Sequence, residues 1–133
     1  GAPFMPRLAS VYAQMLGEKI SKHNTAVYLI NTGWSGGPYG VGKRIKIEYS
    51  RAMVTAVING SLDIVKFSHN DLFNLDVPTE CPGVPSEVLE PRNTWVDKDA
   101  YDLSAKKLAQ MFVDNFKKFK DASEEIRSAG PKL

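Results

Sequence analysis

The sequence predicts a mixed α/β fold of the α+β kind, and three patterns support this prediction. Apolar residues recur at helical spacing near both ends of the chain, a continuous apolar run precedes a glycine-rich loop, and a polar–apolar alternation follows that loop. A chain of 133 residues with 43% hydrophobic content is long enough to bury roughly two thirds of its unfolded surface. We therefore expect a single domain or subdomain over residues 1–133.

The first predicted elements are an amphipathic helix and a buried strand. Ser10 is a candidate N-cap residue for the helix, and His23 lies near the helix end, where a surface position is expected. The run Ala26–Ile30 is apolar at every position, which predicts a strand covered on both faces. The apolar stripe of the helix consists of Leu8, Val11, Tyr12, Met15, Leu16 and Ile20.

A glycine-rich loop, Asn31–Ile45, follows this predicted strand. The spacing Gly37-x-x-x-x-Gly42-Lys43 fits a phosphate-binding P-loop, but Arg44 stands where that motif requires Ser or Thr to ligate magnesium. Residues 44–49 alternate like a strand, whereas a P-loop opens into a helix. An independent P-loop is therefore not favoured. The position after a strand favours a ligand site, and a glycine turn that merely joins two strands is the open alternative.

Ser50 predicts the start of a second helix, which continues through apolar residues and ends near Asn59–Gly60. The free amides and the dipole at a helix N-terminus favour an anion or the polar edge of a heterocycle. Two roles are therefore open for Ser50. It either caps its own helix or contacts a ligand.

The middle of the chain predicts two short strands and then an irregular connection. Val65–Phe67 and Phe73–Val77 are the candidate strands, and His69 between them is expected in a polar turn. Prolines restrict the following passage, so we expect it to wrap the surface rather than join a sheet. These prolines are Pro78, Pro82, Pro85 and Pro91.

A long C-terminal helix is predicted after Asp97, a candidate N-cap residue. The pairs Lys106–Lys107 and Lys117–Lys118 are expected on its solvated face. Ser123–Ala129 predicts one more short helix. The apolar stripe expected to pack in the core consists of Tyr101, Ala105, Leu108, Met111, Phe112, Phe116 and Phe119.

Composition excludes several functional classes. Lys and Arg number 17 against 15 Asp and Glu, and the net charge of +2 is too small for a nucleic-acid surface. A single cysteine, Cys81, allows neither an intramolecular disulfide nor a cysteine-based zinc site. No apolar run approaches the roughly 20 residues that span a bilayer, and no secretory leader is present, so we expect an intracellular protein without a membrane partner. Histidines and carboxylates show no spacing typical of a catalytic pair or a metal cluster.

Several sequence blocks occur in one characteristic order. The longest is NTGWSGGPYGVGKRIKIEYSRAM at residues 31–53, and the shorter ones are VPT at 77–79, CPGVPS at 81–86, PRNTW at 91–95 and AGPKL at 129–133. Together they resemble the C-terminal, nucleotide-binding part of ATP-dependent phosphoenolpyruvate carboxykinases, and the resemblance covers nearly the whole chain. It implies the C-terminal portion of that nucleotide-binding domain as the fold.

The resemblance implies a role in converting oxaloacetate and ATP into phosphoenolpyruvate, carbon dioxide and ADP, a cytoplasmic reaction of gluconeogenesis. It implies ATP as the bound nucleotide and manganese or magnesium in the complete enzyme. The family's P-loop, metal ligands and oxaloacetate-binding residues lie in upstream sequence that this chain does not include. We therefore expect a C-terminal fragment that holds no catalytic residue and needs the rest of the parent enzyme for activity.

The resemblance also assigns nucleotide-binding residues. The family segment that matches Arg44 and Ile45 lies against bound ATP, and a Thr at the place of Ser50 contacts it as well. Ser50 keeps the hydroxyl of that Thr, so the contact is expected to persist. Lys43 and Arg51 are expected to give electrostatic support. At residues 8–10, LAS departs from the His-Pro-Thr that relatives often carry, which leaves the start of the first helix outside the inference.

Two other functional classes stay open from the residues themselves. One is a free-standing nucleotide-binding module, and the other is a noncatalytic oligomerisation module. Arg44 also has a plain structural interpretation, a surface ion pair with Glu48 on the same strand face. A fragment cut from its parent sheet would expose apolar surface, so self-association of the isolated chain is expected to be possible.

Overall fold

The computed structural model describes residues 4–133, and within them the fold is mixed α/β, as predicted. Four short strands form two separate antiparallel pairs, and the remaining elements are helices. In chain order, the elements are α1 (Ala9–His23), β1 (Trp34–Ser35), β2 (Lys43–Arg44), α2 (Ile47–Ile58), β3 (Phe67–Asn70), β4 (Leu75–Pro78), α3 (Ser86–Leu89), α4 (Pro91–Thr94), α5 (Lys98–Phe116) and α6 (Glu124–Ser128).

Helix α1 forms where the apolar stripe predicts it, but Ser10 does not cap it. The helix begins at Ala9 after an extended Leu8, and no side chain caps this end. Ser10 is therefore already inside the helix, and its hydroxyl donates a hydrogen bond to the Asp121 carboxylate. His23 lies in the last turn and is exposed, as expected. The cap prediction was wrong because the helix starts two residues earlier than the candidate cap allows.

The predicted strand at Ala26–Ile30 is absent from the described structure. Strand assignment requires a hydrogen-bonded partner, and no residue in the range 4–133 exchanges a backbone hydrogen bond with this run. Tyr28 packs against the core, whereas Val27 and Leu29 are exposed. The apolar pattern is therefore present without the pairing that would make it a strand.

Helix α2 begins four residues before the predicted position. Lys46, in extended conformation, is its N-cap residue, and the Ser50 amide already donates to the Lys46 carbonyl at 3.2 Å. Ser50 is thus the fourth residue of the helix, not its cap, and of the predicted strand at residues 44–49 only Arg44 lies in β2. The predicted end is confirmed, because Asn59 follows the last helical residue and Gly60 adopts a φ of +74°.

Strands β3 and β4 form a hairpin, each displaced by about two residues from the predicted strand. His69 lies within β3, opposite Asp76 on β4, and its Nδ1 is 2.8 Å from the Asp76 carboxylate. The expectation that His69 sits in a turn was therefore wrong, because a cross-strand partner holds it in the ladder. The expectation that the proline passage joins no sheet was wrong for Pro78, which pairs with Phe67 as the last residue of β4, because a proline is tolerated on an edge strand. The rest of the passage joins neither sheet and contains the four-residue helices α3 and α4.

Helix α5 begins as the sequence predicts. The Asp97 carboxylate accepts a hydrogen bond from the Ala100 amide at 2.9 Å, which satisfies a free amide of the first turn. Ala105 and Ala109 are buried, but the larger side chains of the predicted stripe are more exposed, with Phe112 at 52%. The four lysines expected on the solvated face are exposed, and Ser123 caps α6.

The core is small for the length of the chain. Its main cluster consists of Ala56, Leu62, Cys81 and Val84, which pack between α2 and the passage after β4. The accessible surface is 10211 Å². A compact monomer of 14.7 kDa exposes about 6,900 Å². The expectation of uncovered apolar faces is therefore confirmed.

Candidate functional site

The glycine-rich loop forms a hairpin between β1 and β2. Trp34 pairs with Arg44 and Ser35 with Lys43, and the Ile45 amide extends the pairing by donating to the Gly33 carbonyl at 2.9 Å. Within the loop, the amides of residues 41 and 42 both donate to the Pro38 carbonyl, at 3.0 and 2.9 Å. Two loop amides are thus used internally and are not presented to a phosphate. This geometry, with a helix starting only at Ile47, agrees with the sequence argument against a P-loop.

Glycine is required at two places where the hairpin backbone packs against itself. A Cβ at Gly42 would lie 2.5 Å from the Gly37 carbonyl oxygen and 2.9 Å from the Ser35 carbonyl oxygen. Gly37 has a φ of +156°, and a Cβ there would lie 2.9 Å from a methyl of Val41. No side chain fits between these backbone segments. The glycines therefore close the hairpin tightly and fix the direction in which β2 leaves it.

Helix α4 anchors the base of the hairpin. The Ser35 hydroxyl donates to the Thr94 hydroxyl at 3.0 Å, and Thr94 in turn donates to the Pro91 carbonyl at 2.7 Å. The backbone of Gly36 also approaches α4 closely, since a Cβ there would lie 3.2 Å from the Thr94 carbonyl oxygen. Sequence reasoning missed Thr94 as a partner of the loop. The only signal was its presence in the block at residues 91–95, and no spacing rule connects that block with residue 35.

The three predicted site residues lie close together along the chain, at the exit of the hairpin. Arg44 ends β2 and is exposed, Ile45 is partly buried, and Ser50 is partly buried in the first turns of α2. The Ile45 amide donates to the Gly33 carbonyl and is therefore not available to a ligand. Within residues 4–133, the Ser50 hydroxyl forms no hydrogen bond, which leaves it free to donate or accept.

The proposed ion pair between Arg44 and Glu48 does not form. Glu48 instead pairs with Lys46 at 3.4 Å, and this hydrogen bond raises the pKa of the Lys46 ammonium group. The same ammonium group lies 5.3 Å from the centre of the Tyr49 ring. Lys46 therefore takes the acidic partner that the plain structural interpretation assigned to Arg44. The guanidinium of Arg44 meets no carboxylate within 4 Å among the described residues, so it is available to an external anion.

An aromatic pair lies on the same hairpin, and sequence reasoning did not assign it a role. Trp34 and Tyr39 meet edge to face with ring centres 6.1 Å apart, and Tyr39 is 93% exposed. Trp34 stands directly opposite Arg44, which places the two side chains on one face of the ribbon. A guanidinium beside exposed rings offers both charge and flat apolar surface. This combination suits a planar, anionic ligand.

The described residues do not provide a metal site. No group of three or more His, Cys, Asp or Glu side chains in the range 4–133 is close enough to hold an ion.

Cys81 is buried, and desolvation raises the pKa of its thiol, so it stays protonated and is a poor nucleophile. No helix within the same range is long and apolar enough to cross a membrane.

The hairpin lies at the surface, where Trp34, Tyr39 and Arg44 are exposed. Two shallow depressions lie elsewhere, one of about 360 Å³ between the β3–β4 turn and helix α5, and one of about 540 Å³ between α1 and α6. Neither is lined by Arg44, Ile45 or Ser50. A ligand at the hairpin would therefore need further walls to be enclosed.

Comparison with known proteins decides the family. The sequence profile of phosphoenolpyruvate carboxykinase matches residues 1–87, which include the hairpin and the start of α2. The chain belongs to the phosphoenolpyruvate carboxykinase family. It is 62% identical over 132 residues to the phosphoenolpyruvate carboxykinase (ATP) of Caldanaerobacter subterraneus subsp. tengcongensis, and 61% identical over 133 residues to that of Fusobacterium nucleatum. These matches cover 99% of the chain, which confirms the predicted resemblance to the ATP-dependent carboxykinases.

Coverage of the related carboxykinases is partial. The chain spans 25% of the length of the Caldanaerobacter and Fusobacterium proteins. A phosphoenolpyruvate carboxykinase (ATP) of Moorella thermoacetica, 58% identical over 131 residues and 98% of this chain, gives the same share. The chain therefore corresponds to a portion of such an enzyme, as the sequence predicted.

Proposed function

We propose that residues 1–133 act as one subdomain that supplies part of the ATP site of an ATP-dependent phosphoenolpyruvate carboxykinase. In that enzyme, oxaloacetate and ATP would become phosphoenolpyruvate, carbon dioxide and ADP in the cytoplasm. The observation that carries the proposal is the position of Arg44. Its guanidinium is exposed at the end of the glycine hairpin, opposite Trp34 and without a carboxylate partner among the described residues. Family membership supports ATP as the nucleotide.

Each proposed nucleotide-binding residue has a distinct role. Arg44 would pair with phosphate oxygens or lie flat against a ring, which its planar fork allows. Ile45 would contribute its carbonyl and its apolar side chain, since its amide is used inside the hairpin. Ser50 would contribute its hydroxyl, which is not used to cap helix α2. Divalent metal, catalytic groups and the oxaloacetate site would come from the other parts of the enzyme.

The test uses a full-length chimera in which this chain replaces the matching quarter of the Caldanaerobacter relative. We expect Arg44→Ala to weaken ATP binding by about 10- to 100-fold, because one charge-assisted contact contributes about 1.5–3 kcal/mol. Isothermal titration calorimetry with ATP measures the effect, and oxaloacetate binding should stay unchanged. Arg7→Ala is the matched control, because Arg7 is an exposed arginine far along the chain from the hairpin.

Two outcomes would contradict the proposal. Equal ATP affinity of the unsubstituted chimera and its Arg44→Ala variant would show that Arg44 does not contribute to ATP binding. Tight ATP binding by the 133-residue chain alone, lost on Lys43→Ala more than on Arg44→Ala, would favour a free-standing nucleotide module. The Arg44→Lys variant separates charge from shape. If it keeps part of the ATP affinity, the positive charge of Arg44 contributes to binding; if it loses all of it, the planar guanidinium group is required.

A further inference from the structure

Arg44 and Glu48 lie close together in the sequence, yet their side chains do not pair. Arg44 ends β2, and Glu48 is the second residue of α2, which makes it the acidic residue nearest to Arg44 along the chain. A carboxylate is favoured in the first turn of a helix, because the positive end of the helix dipole lies there. Glu48 is therefore a charged competitor for the guanidinium group that the proposed ATP contact requires.

Lys46 is held beside this carboxylate by two contacts. Its ammonium nitrogen is 3.4 Å from Glu48 Oε1 and 5.3 Å from the centre of the Tyr49 ring. Tyr49 is partly buried and packs against the main core cluster, so the ring gives the ammonium group a support that is attached to the core. The hydrogen bond to Glu48 and the contact with Tyr49 raise the pKa of Lys46, so the side chain stays charged at neutral pH.

We infer that Lys46 is a positioning residue of the ATP site, which engages Glu48 and so leaves the guanidinium of Arg44 free for the nucleotide. The inference rests on the proposed function, because Lys46 has this role only if Arg44 binds ATP. The role requires no contact between Lys46 and ATP. With its charge not neutralised inside the chain, Arg44 can pair with phosphate oxygens.

The direction of the Glu48 side chain favours Arg44 as its next partner if Lys46 is removed. Two arginines flank the pair, Arg44 before helix α2 and Arg51 within it. Among the described residues, Glu48 pairs with Lys46, which precedes the helix, and forms no ion pair with Arg51. Helical side chains lean toward the N-terminus of their helix, so Glu48 leans toward the end of β2. Without Lys46, the guanidinium of Arg44 is the cation in that direction.

The expected effect is modest, because the pair is exposed. The side chains of Lys46 and Glu48 are 66% and 65% exposed, so solvent screens any ion pair that Glu48 forms. Ion pairs at such sites change an equilibrium by about five-fold at most, and we expect about three-fold here. The effect should disappear at about 1 M salt, where charges more than about 3 Å apart are screened.

A double-mutant cycle in the full-length chimera tests the inference, with ATP affinity measured by isothermal titration calorimetry. Lys46→Ala should weaken ATP binding about three-fold, and should have no effect when it is combined with Glu48→Gln, which removes the competing charge. Lys46→Arg should keep full affinity, because it retains a cation beside Glu48. In steady-state kinetics, Lys46→Ala should raise the KM for ATP and leave kcat unchanged. The matched control is Lys117→Ala, which breaks an exposed ion pair with Asp114 at the end of α5 and should leave ATP affinity unchanged.

Arg44→Ala in the same chimera separates this inference from the proposed function. If Arg44→Ala weakens ATP binding and Lys46→Ala does not, the proposed function stands and the inference is wrong, as it would be if Glu48 turned to Arg51. An equal loss for Lys46→Ala with and without Glu48→Gln would indicate a direct contact of Lys46 with ATP, and would also overturn the inference. If Arg44→Ala has no effect, the proposed function fails, and the positioning role fails with it.

Discussion

The glycine hairpin and the corner formed by α4 and the start of α5 are neighbours, yet they differ in how their polar groups are satisfied. In the corner, Arg92 forms two hydrogen bonds to Asp102 at 2.8 and 3.0 Å, and the Lys98 ammonium group donates to three backbone carbonyls. The hairpin presents an exposed Arg44 with no carboxylate partner in the described residues. The charged side chains of the corner thus have partners within the chain, whereas the guanidinium of Arg44 on the hairpin remains available to an external group.

The same contrast holds for aromatic side chains. Trp95 and Tyr101 pack edge to face in the corner at 5.6 Å, and both are partly buried. Trp34 and Tyr39 pack at 6.1 Å on the hairpin, and both are more than half exposed. Buried pairs stabilise the fold, and exposed pairs in a protein of this size point to a contact that lies outside it. The difference supports the proposal that the hairpin, and not the corner, contacts a ligand.

The largest expected effect comes from the backbone packing of the hairpin. Gly42→Ala places a Cβ 2.5 Å from a carbonyl oxygen, so we expect the chimera to lose about 1–3 kcal/mol of unfolding free energy and much of its ATP affinity. Gly17→Ala is the control, since a Cβ there meets nothing within 4 Å and alanine favours the helix by about 1 kcal/mol. Urea unfolding measures both. A neutral Gly42→Ala would show that the hairpin is pliable, and would weaken the comparison.

A smaller effect is expected where the two regions meet. Thr94→Val removes the hydroxyl that links Ser35 to the Pro91 carbonyl, and we expect a loss of about 1 kcal/mol in stability. ATP affinity should also fall several-fold, because the anchor of the hairpin is gone. Thr79→Val is the matched control, since it removes a hydroxyl–carbonyl bond of 3.0 Å to Lys66 on the other hairpin. Equal effects of the two variants on ATP affinity would deny Thr94 a positioning role.

The smallest stability effect is expected at Ser50. Its side chain caps no helix, so Ser50→Ala should leave the unfolding free energy nearly unchanged while weakening ATP binding. Asp97→Ala should do the reverse, because the Asp97 carboxylate caps α5 and such a cap contributes about 1 kcal/mol. Thermal unfolding with and without ATP separates the two variants. A drop in stability for Ser50→Ala without any change in ATP affinity would contradict the assigned site.

Local patterns predicted much of the helical structure. Helical spacing located α1, α2 and α5, and the predicted cap at Asp97 was correct because a cap needs only an amide three residues away. The caps at Ser10 and Ser50 were wrong, since both helices begin earlier at residues without a capping side chain. A serine marks a possible helix start, and the preceding backbone decides whether the helix has already begun.

The sequence predicted the residues of the candidate site but not the contacts that surround them. The sequence resemblance selected Arg44, Ile45 and Ser50, and their assignment to ATP stays a prediction. The structure added that Lys46 takes Glu48 and that Thr94 anchors Ser35. Whether Lys46 or Arg44 pairs with Glu48 depends on the direction in which each side chain points. Sequence spacing alone does not give this direction.

The sequence by itself determined the family, the mixed α/β class and the positions of the long helices. The helices depend on interactions between residues a few positions apart, and the family is recognised from contiguous blocks of sequence. Only the tertiary structure decided that His69 pairs with Asp76, that α4 holds the hairpin and that Ala26–Ile30 lies unpaired. The physical reason is that hydrogen-bond partners distant in the chain are set by packing, and a strand exists only where its partner is present.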